Sequence, residues 1–247
     1  MPTTVQQQAY LDAMGIQRWA RRPLGEAGSS ADVAARTGAE SGATRSTGGA
    51  GLDWPSLKES VQGCTRCVLH QSRAQTVFGV GNESADWMVV GEAPGAEEDR
   101  QGEPFVGRAG QLLNAMLQAI GLRRDAVYIA NILKCRPPNN RDPRPEEVVC
   151  CEPYLQRQVE LVAPRLILAV GRVAAQNLLK TDAPLGRLRG RVHSYGTAGT
   201  PVVVTYHPAY LLRSPAEKRK AWQDLLMARR LLAEPQGNDG VATTSRR

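Results

Sequence analysis

The sequence predicts an α/β fold in which a parallel sheet carries helices on both faces, and three observations predict it. Short apolar runs alternate with amphipathic helical patterns along the chain. The runs are continuous rather than alternating with polar residues, as expected of strands buried on both faces. Nearly every unusual residue falls in the loops around these runs, and in such sheets ligands bind beyond the carboxyl ends of the strands.

Residues 1–24 form a short amphipathic interaction peptide. Within it Ala9–Ile16 reads as a helix end, with Gly15 in the left-handed cap and Ile16 folding back on Leu11. Trp19 follows among Arg18, Arg21 and Arg22. Residues 25–51 are almost wholly Gly, Ala, Ser and Thr, with Val33 as the only larger apolar residue. Such a segment buries too little surface to offset its ordering entropy, so it is expected to be a flexible linker with a root-mean-square reach of about 30 Å. The folded domain is expected at 52–234, and 235–247 as a disordered tail. Inside the domain the first strand is Trp87–Val90. The loop Gly91–Gly110 follows, rich in acids and glycines, with Phe105 as its lone aromatic; it reads as a pocket wall. A helix over Gly107–Ile120 has apolar residues at 112, 113, 116 and 117. The remaining strands are Val127–Ile132, Leu166–Val170 and Val202–Thr205. Helices cover Pro145–Val162, Val173–Leu179 and about Pro215–Leu232.

A net charge of +7 favours an anionic partner, with nucleic acid the commonest kind. No apolar run approaches the ~18 residues of a membrane span, and no signal-peptide pattern opens the chain, so a cytoplasmic protein without a membrane partner is expected. Five cysteines stand at 64, 67, 135, 150 and 151. An odd count without an export signal argues against a disulfide framework and for thiolates held around a metal or cluster. Four thiolates suit tetrahedral zinc or a 4Fe-4S cluster, and one tight pair, Cys64 and Cys67, with two distant singles leans toward the cluster. Cys150 and Cys151 compete for the last position. Adjacent helical residues point about 100° apart, so only one is expected to face the centre.

Thr205-Tyr206-His207-Pro208-Ala209-Tyr210-Leu211-Leu212-Arg213 follows the last strand and holds one of only three histidines. With it, the chain carries four motifs in order. Gly91-Glu92-Ala93-Pro94-Gly95, Pro104-Phe105-Val106-Gly107, Asn131-Ile132-Leu133-Lys134-Cys135-Arg136-Pro137-Pro138 and the His-Pro segment together resemble the family 4 uracil-DNA glycosylases, the iron–sulfur branch of that superfamily. The resemblance covers about residues 60–225.

It implies a three-layer αβα sandwich around a four-stranded parallel sheet, and removal of uracil from DNA to leave an abasic site. Glu92, Asn131 and His207 would be catalytic, and Gly91, Ala93, Phe105, Asn131 and His207 would bind the flipped base. Phe105 would stack on uracil, Asn131 would read its polar edge, His207 would donate to the departing base and Glu92 would position water. Leu211 and Leu212 would wedge into the duplex, with Arg189 and Arg213 on its backbone. Cys64, Cys67, Cys135 and Cys151 would hold the 4Fe-4S cluster, and Cys150 is additional to the usual four ligands. The third motif lacks the inserted histidine loop of a covalent relative, since Pro137–Arg141 contains none, so ordinary turnover is expected. The expected partner is uracil-containing DNA, acted on by a monomer associated with a bacterial nucleoid. Leu11–Pro23 resembles the N-terminal peptide of the psi subunit of the bacterial replicative clamp loader, which implies a clamp-loader contact through residues 9–23. The competing readings are a non-catalytic iron–sulfur DNA-binding module and a zinc-stabilised scaffold protein.

Overall fold

Residues 51–233 are described in a computed structural model of the chain. The interaction peptide 1–24, the linker 25–51 apart from Gly51, and the tail 235–247 lie outside the described residues.

The elements in chain order are α1 (Trp54–Gln62), β1 (Val80–Gly81), β2 (Trp87–Gly91), α2 (Ala96–Gln101), α3 (Arg108–Ala119), β3 (Tyr128–Asn131), α4 (Pro145–Val162), β4 (Leu166–Val170), α5 (Arg172–Leu179), α6 (Leu185–Leu188), β5 (Val192–Tyr195), β6 (Thr200–Thr205), α7 (Pro208–Arg213) and α8 (Lys218–Ala233). The strands form one sheet in the order β1-β3-β2-β4-β6-β5. The four inner strands are parallel and are the four expected from sequence. The strand count needs correction, because β1 and β5 add antiparallel edges. Each edge strand has a single partner, so neither requires a fully apolar run: β1 has two residues, and β5 is exposed or half-buried throughout.

Side chains alternate across the sheet. Met88, Val90, Ile167, Ala169, Val202 and Val204 face α1, α4 and α5, while Val89, Ile129, Leu168, Val170 and Val203 face α3 and α8. Two apolar layers with helices outside each give the αβα sandwich. The carboxyl ends of β2, β3, β4 and β6 therefore stand side by side at one rim. Local chemistry starts the helices there: Pro208 opens α7 behind the N-cap His207. Glu98 of α2 reaches back to the amide of Gly95 at 3.1 Å. No helix among the described residues is long and apolar enough to cross a membrane.

Candidate active site

Parallel pairing aligns Gly91 with Asn131 across β2 and β3. Beyond the sheet the amides of Ile132 and Leu133 donate to the carbonyls of Gly91 and Glu92 at 2.9 and 3.0 Å, so the two strand ends stay stitched together. A Cβ on Gly91 would lie 2.4 Å from Asn131 Oδ1 and 2.6 Å from Phe105 Cζ. Only glycine leaves room for both side chains. Asn131 is 2% exposed, and its Oδ1 has no hydrogen-bond partner. A buried acceptor in that condition costs free energy unless something supplies a donor.

Phe105 sits at φ 55°, a strained left-handed conformation for an aromatic residue. Two side chains hold it there. Glu98 accepts from the amides of Val106 and Gly107 at 3.1 and 3.2 Å. Arg124 donates to the carbonyls of Pro104 and Phe105 at 2.5 and 3.4 Å and pairs with Glu103. Only glycine fits at position 110 under this turn, because a Cβ there would lie 1.7 Å from the Phe105 carbonyl oxygen. The Phe105 ring ends 5.6 Å from that of His207, tilted by 31°.

His207 stands at the end of β6. Its Nδ1 accepts from the amide of Ala209 at 3.1 Å. Burial, aided by the charge of Arg213, pulls its pKa down to about 4. The ring is therefore neutral at physiological pH, and with Nδ1 accepting, Nε2 carries the proton. Glu92 shows the opposite shift. Burial, with a smaller push from Asp142 and opposition from Arg172, moves its carboxyl up to about 7. Asp142 and Arg172 pair with each other at 2.5 Å.

Glu92, Ala93, Phe105, Asn131, His207 and Arg213 line one open cavity of about 420 Å³, within the usual range for ligand pockets. Gly91 does not line the cavity but packs behind Asn131 and Phe105. The expected site residues are thus gathered, with two corrections. Leu211 is 1% exposed and belongs to the α3–α8 core; Leu212, one position on, is exposed, as is Tyr210. Arg189 is spent in the interior, where its Nη2 and Nε lie 2.7 and 2.8 Å from Oδ2 of the buried Asp224. Its guanidinium also lies 4.2 Å from the centre of the Tyr206 ring, which stacks on Tyr210. It braces the rim from below rather than projecting from it.

Sequence reasoning missed Glu98, Arg124, Asp142 and Arg172. Only Glu98 had a legible signal: an acid three residues after Gly95, the spacing of a helix-capping box.

A second pocket lies on the α1–α4 side of the sheet, lined by all five cysteines with Arg66, His70, Arg73 and Lys134. Cys151 is buried and its Sγ accepts from the amide of Lys134 at 3.2 Å; Cys135 Sγ accepts from Arg73 Nη1 at 3.0 Å. Cys150 is half-buried and turns its Sγ to the carbonyl of Arg66 at 3.3 Å. Burial raises the pKa of Cys67 and Cys135, and that of Cys151 to about 12. Among the described residues no three His, Cys, Asp or Glu side chains are grouped to hold a single metal ion. Five thiols with two N–H donors on sulfur form a donor set that suits either zinc or an iron–sulfur cluster.

A family model described as the uracil DNA glycosylase superfamily matches residues 78–226. Among curated proteins, the type-4 uracil-DNA glycosylase of Archaeoglobus fulgidus is 49% identical over 165 residues, covering 64% of this chain and 83% of that protein. That of Pyrobaculum aerophilum is 44% identical over 182 residues, covering 71% of this chain and 93% of that protein. That of Thermotoga maritima is 44% identical over 159 residues, covering 64% and 82%.

Proposed function

We propose, since this chain belongs to the uracil DNA glycosylase superfamily and to its type-4 branch, a route by which it performs the activity of that branch. It is a uracil-DNA glycosylase, a repair enzyme that hydrolyses the N-glycosyl bond of uracil in DNA. A base leaves the stack before its glycosidic bond is attacked. In our reading the extruded uracil lies against Phe105, whose ring the Glu98 and Arg124 contacts hold in place. Asn131 meets its polar edge: Oδ1 accepts the ring N–H and the amide N–H donates to the adjacent carbonyl. Cytosine offers an amino group where uracil offers that carbonyl, so it meets donor with donor. As the bond breaks, negative charge grows on the base, and the Nε2–H of neutral His207 donates to it. The Glu92 carboxylate orients water and faces the positive sugar. Leu212 serves as the wedge and Arg213 meets the backbone.

The observation that carries this reading is the unpaired, buried Oδ1 of Asn131 between Phe105 and the strand end. A non-catalytic DNA-binding module has no use for such an atom at the bottom of a cavity. The test is a single-uracil oligonucleotide treated with alkali after incubation. Strand cleavage at uracil, none at cytosine in the same position, and loss of cleavage in Asn131→Ala are expected. Intact uracil strands with wild-type protein would overturn the reading.

We propose Cys64, Cys67, Cys135 and Cys151 as ligands of one 4Fe-4S cluster, which would tie three distant chain segments together. Cys150 is spare, its thiol engaged with a backbone carbonyl. Cys150→Ser should keep its iron content and its broad absorbance near ~400 nm, whereas Cys151→Ser should lose both. Colour retained in the second variant and lost in the first would reverse the assignment.

We further propose that residues 9–23 dock on a clamp-loader subunit, that the enzyme acts as a monomer, and that it works in the cytoplasm at the nucleoid. Trp and Tyr anchors dominate such contacts. Residues 1–24 should capture clamp-loader subunits, and a Trp19→Ala peptide should not. Equal capture by both, or none by the intact peptide, would remove the partner.

A further inference from the structure

Lys134 heads the large side chains that the fold buries completely. Its Nζ donates to the backbone carbonyl of Asn131 at 2.9 Å and to Oε1 of Gln158 at 2.5 Å. Gln158 is fixed in turn, donating to the carbonyl of Phe78 at 2.9 Å and to the Tyr128 hydroxyl at 3.0 Å. Both acceptors of the ammonium are neutral. Among the described residues no carboxylate hydrogen-bonds or ion-pairs with it. A buried cation without a paired anion is costly.

The same residue faces the cysteine pocket. Its backbone N–H donates to Cys151 Sγ at 3.2 Å, and Cys135 is the next residue in the chain. Four thiolates around a 4Fe-4S core would carry a net negative charge, and the sulfurs of Cys151 and Cys135 act on the ammonium in favour of its charged form. Arg73 reaches the cluster side of Cys135 but comes from solvent-accessible surroundings. Lys134 has no such outlet.

We infer that Lys134 is a positioning residue joining the cysteine pocket to Asn131: its ammonium holds the strand-end carbonyl of the base-reading residue, and the ligand sulfurs supply the charge that keeps the ammonium there. This rests on the cluster and uracil-pocket readings above. Releasing the Asn131 carbonyl loosens the strand-end backbone that carries the side-chain amide. Recognition of uracil thereby depends on the occupancy of the neighbouring cysteine pocket. The dependence runs both ways, since a fixed positive charge close to the cluster favours its reduced form.

The test uses full-length protein and Lys134→Met, which keeps length and apolar bulk while removing the charge. Wild-type protein is first assayed for iron and for uracil release. Absence of iron overturns the inference together with the cluster assignment, and iron without uracil release overturns it together with the functional reading. With both present, Lys134→Met should keep its iron, show a more negative cluster reduction potential by redox titration, and raise KM for uracil DNA roughly tenfold with a smaller change in kcat. Unchanged potential and unchanged KM would overturn the inference, because a lysine that merely fills space affects neither.

Gln158→Glu provides a second arm should the methionine variant fail to fold. It gives the ammonium an anion of its own at the same hydrogen-bonding position. After the cluster is removed by chelation, this variant should retain binding to uracil DNA better than wild type does. Equal loss of binding in the two proteins would overturn the coupling.

Discussion

Replacing His207 with Ala is expected to lower the single-turnover rate of uracil release by about 10²- to 10³-fold, the scale of one preorganised donor to developing negative charge. The expectation follows from the way the ring is wired. The Ala209 amide occupies Nδ1, burial pulls the pKa down to about 4 and keeps the imidazole neutral, and the ring lines the same cavity as Phe105. A neutral donor also makes a distinct prediction about pH: His207 should leave no inflection between pH 5 and 8. Single-turnover measurement on a uracil oligonucleotide checks both. An undiminished rate in the variant would remove His207 from the chemistry.

Glu92→Gln should lower the same rate by about 10²-fold or more, yet make the protein more stable at alkaline pH. The sign follows from the raised pKa. The carboxyl titrates near 7 in the folded protein against an ordinary 4.5, so the native state holds its proton more tightly than the unfolded chain does. The associated stability is full below pH 4.5 and is lost as pH rises through 7. Its loss amounts to about 2–3 kcal/mol, allowing for partial solvent access to the group. Glutamine carries no such penalty. Urea unfolding should find the variant more stable by about 1–3 kcal/mol at pH 8, with the gap closing toward pH 4.5. The wild-type rate should fall about tenfold per pH unit below 7, because the working form is the carboxylate. Equal unfolding midpoints at pH 8 would show that this carboxylate is well solvated and has no raised pKa.

The inner sheet was legible because each of its strands is apolar on both faces. Leu166–Val170 has the same bounds in the sequence reading and in the structure, and so does the Pro145–Val162 helix. The edge strands were not legible: two residues in β1 and the exposed pattern of β5 carry no burial signal. Nor was α2, whose sole buried residue is Asp99, so no apolar period marks it. That aspartate is buried because it accepts from the amides of Ala74 and Gln75, a contact 24–25 residues back in the chain. Glu92, Phe105, Asn131 and His207 could be named from motifs. What sets their properties could not, since Arg124, Asp142 and Arg172 meet them only after folding. Leu211 and Leu212 were separable in principle. They are adjacent on a helix and point about 100° apart, the argument already applied to Cys150 and Cys151. Arg189 was not, because its partner Asp224 is 35 residues away.

The strand order also governs when the enzyme can first act during its own synthesis. Glu92 follows β2 and Asn131 ends β3, but the imidazole that completes the site follows β6, the last strand to be made. At about 5–20 residues per second, several seconds separate the emergence of Asn131 from that of His207. Throughout that interval a nascent chain can present the floor of the pocket and no donor to the departing base. Because β6 pairs with β4 rather than with its own predecessors in a local hairpin alone, completion waits on a non-local docking step of the slow kind. Full activity therefore appears late, and a chain truncated before residue 207 lacks the donor to the departing base however well its first half has folded.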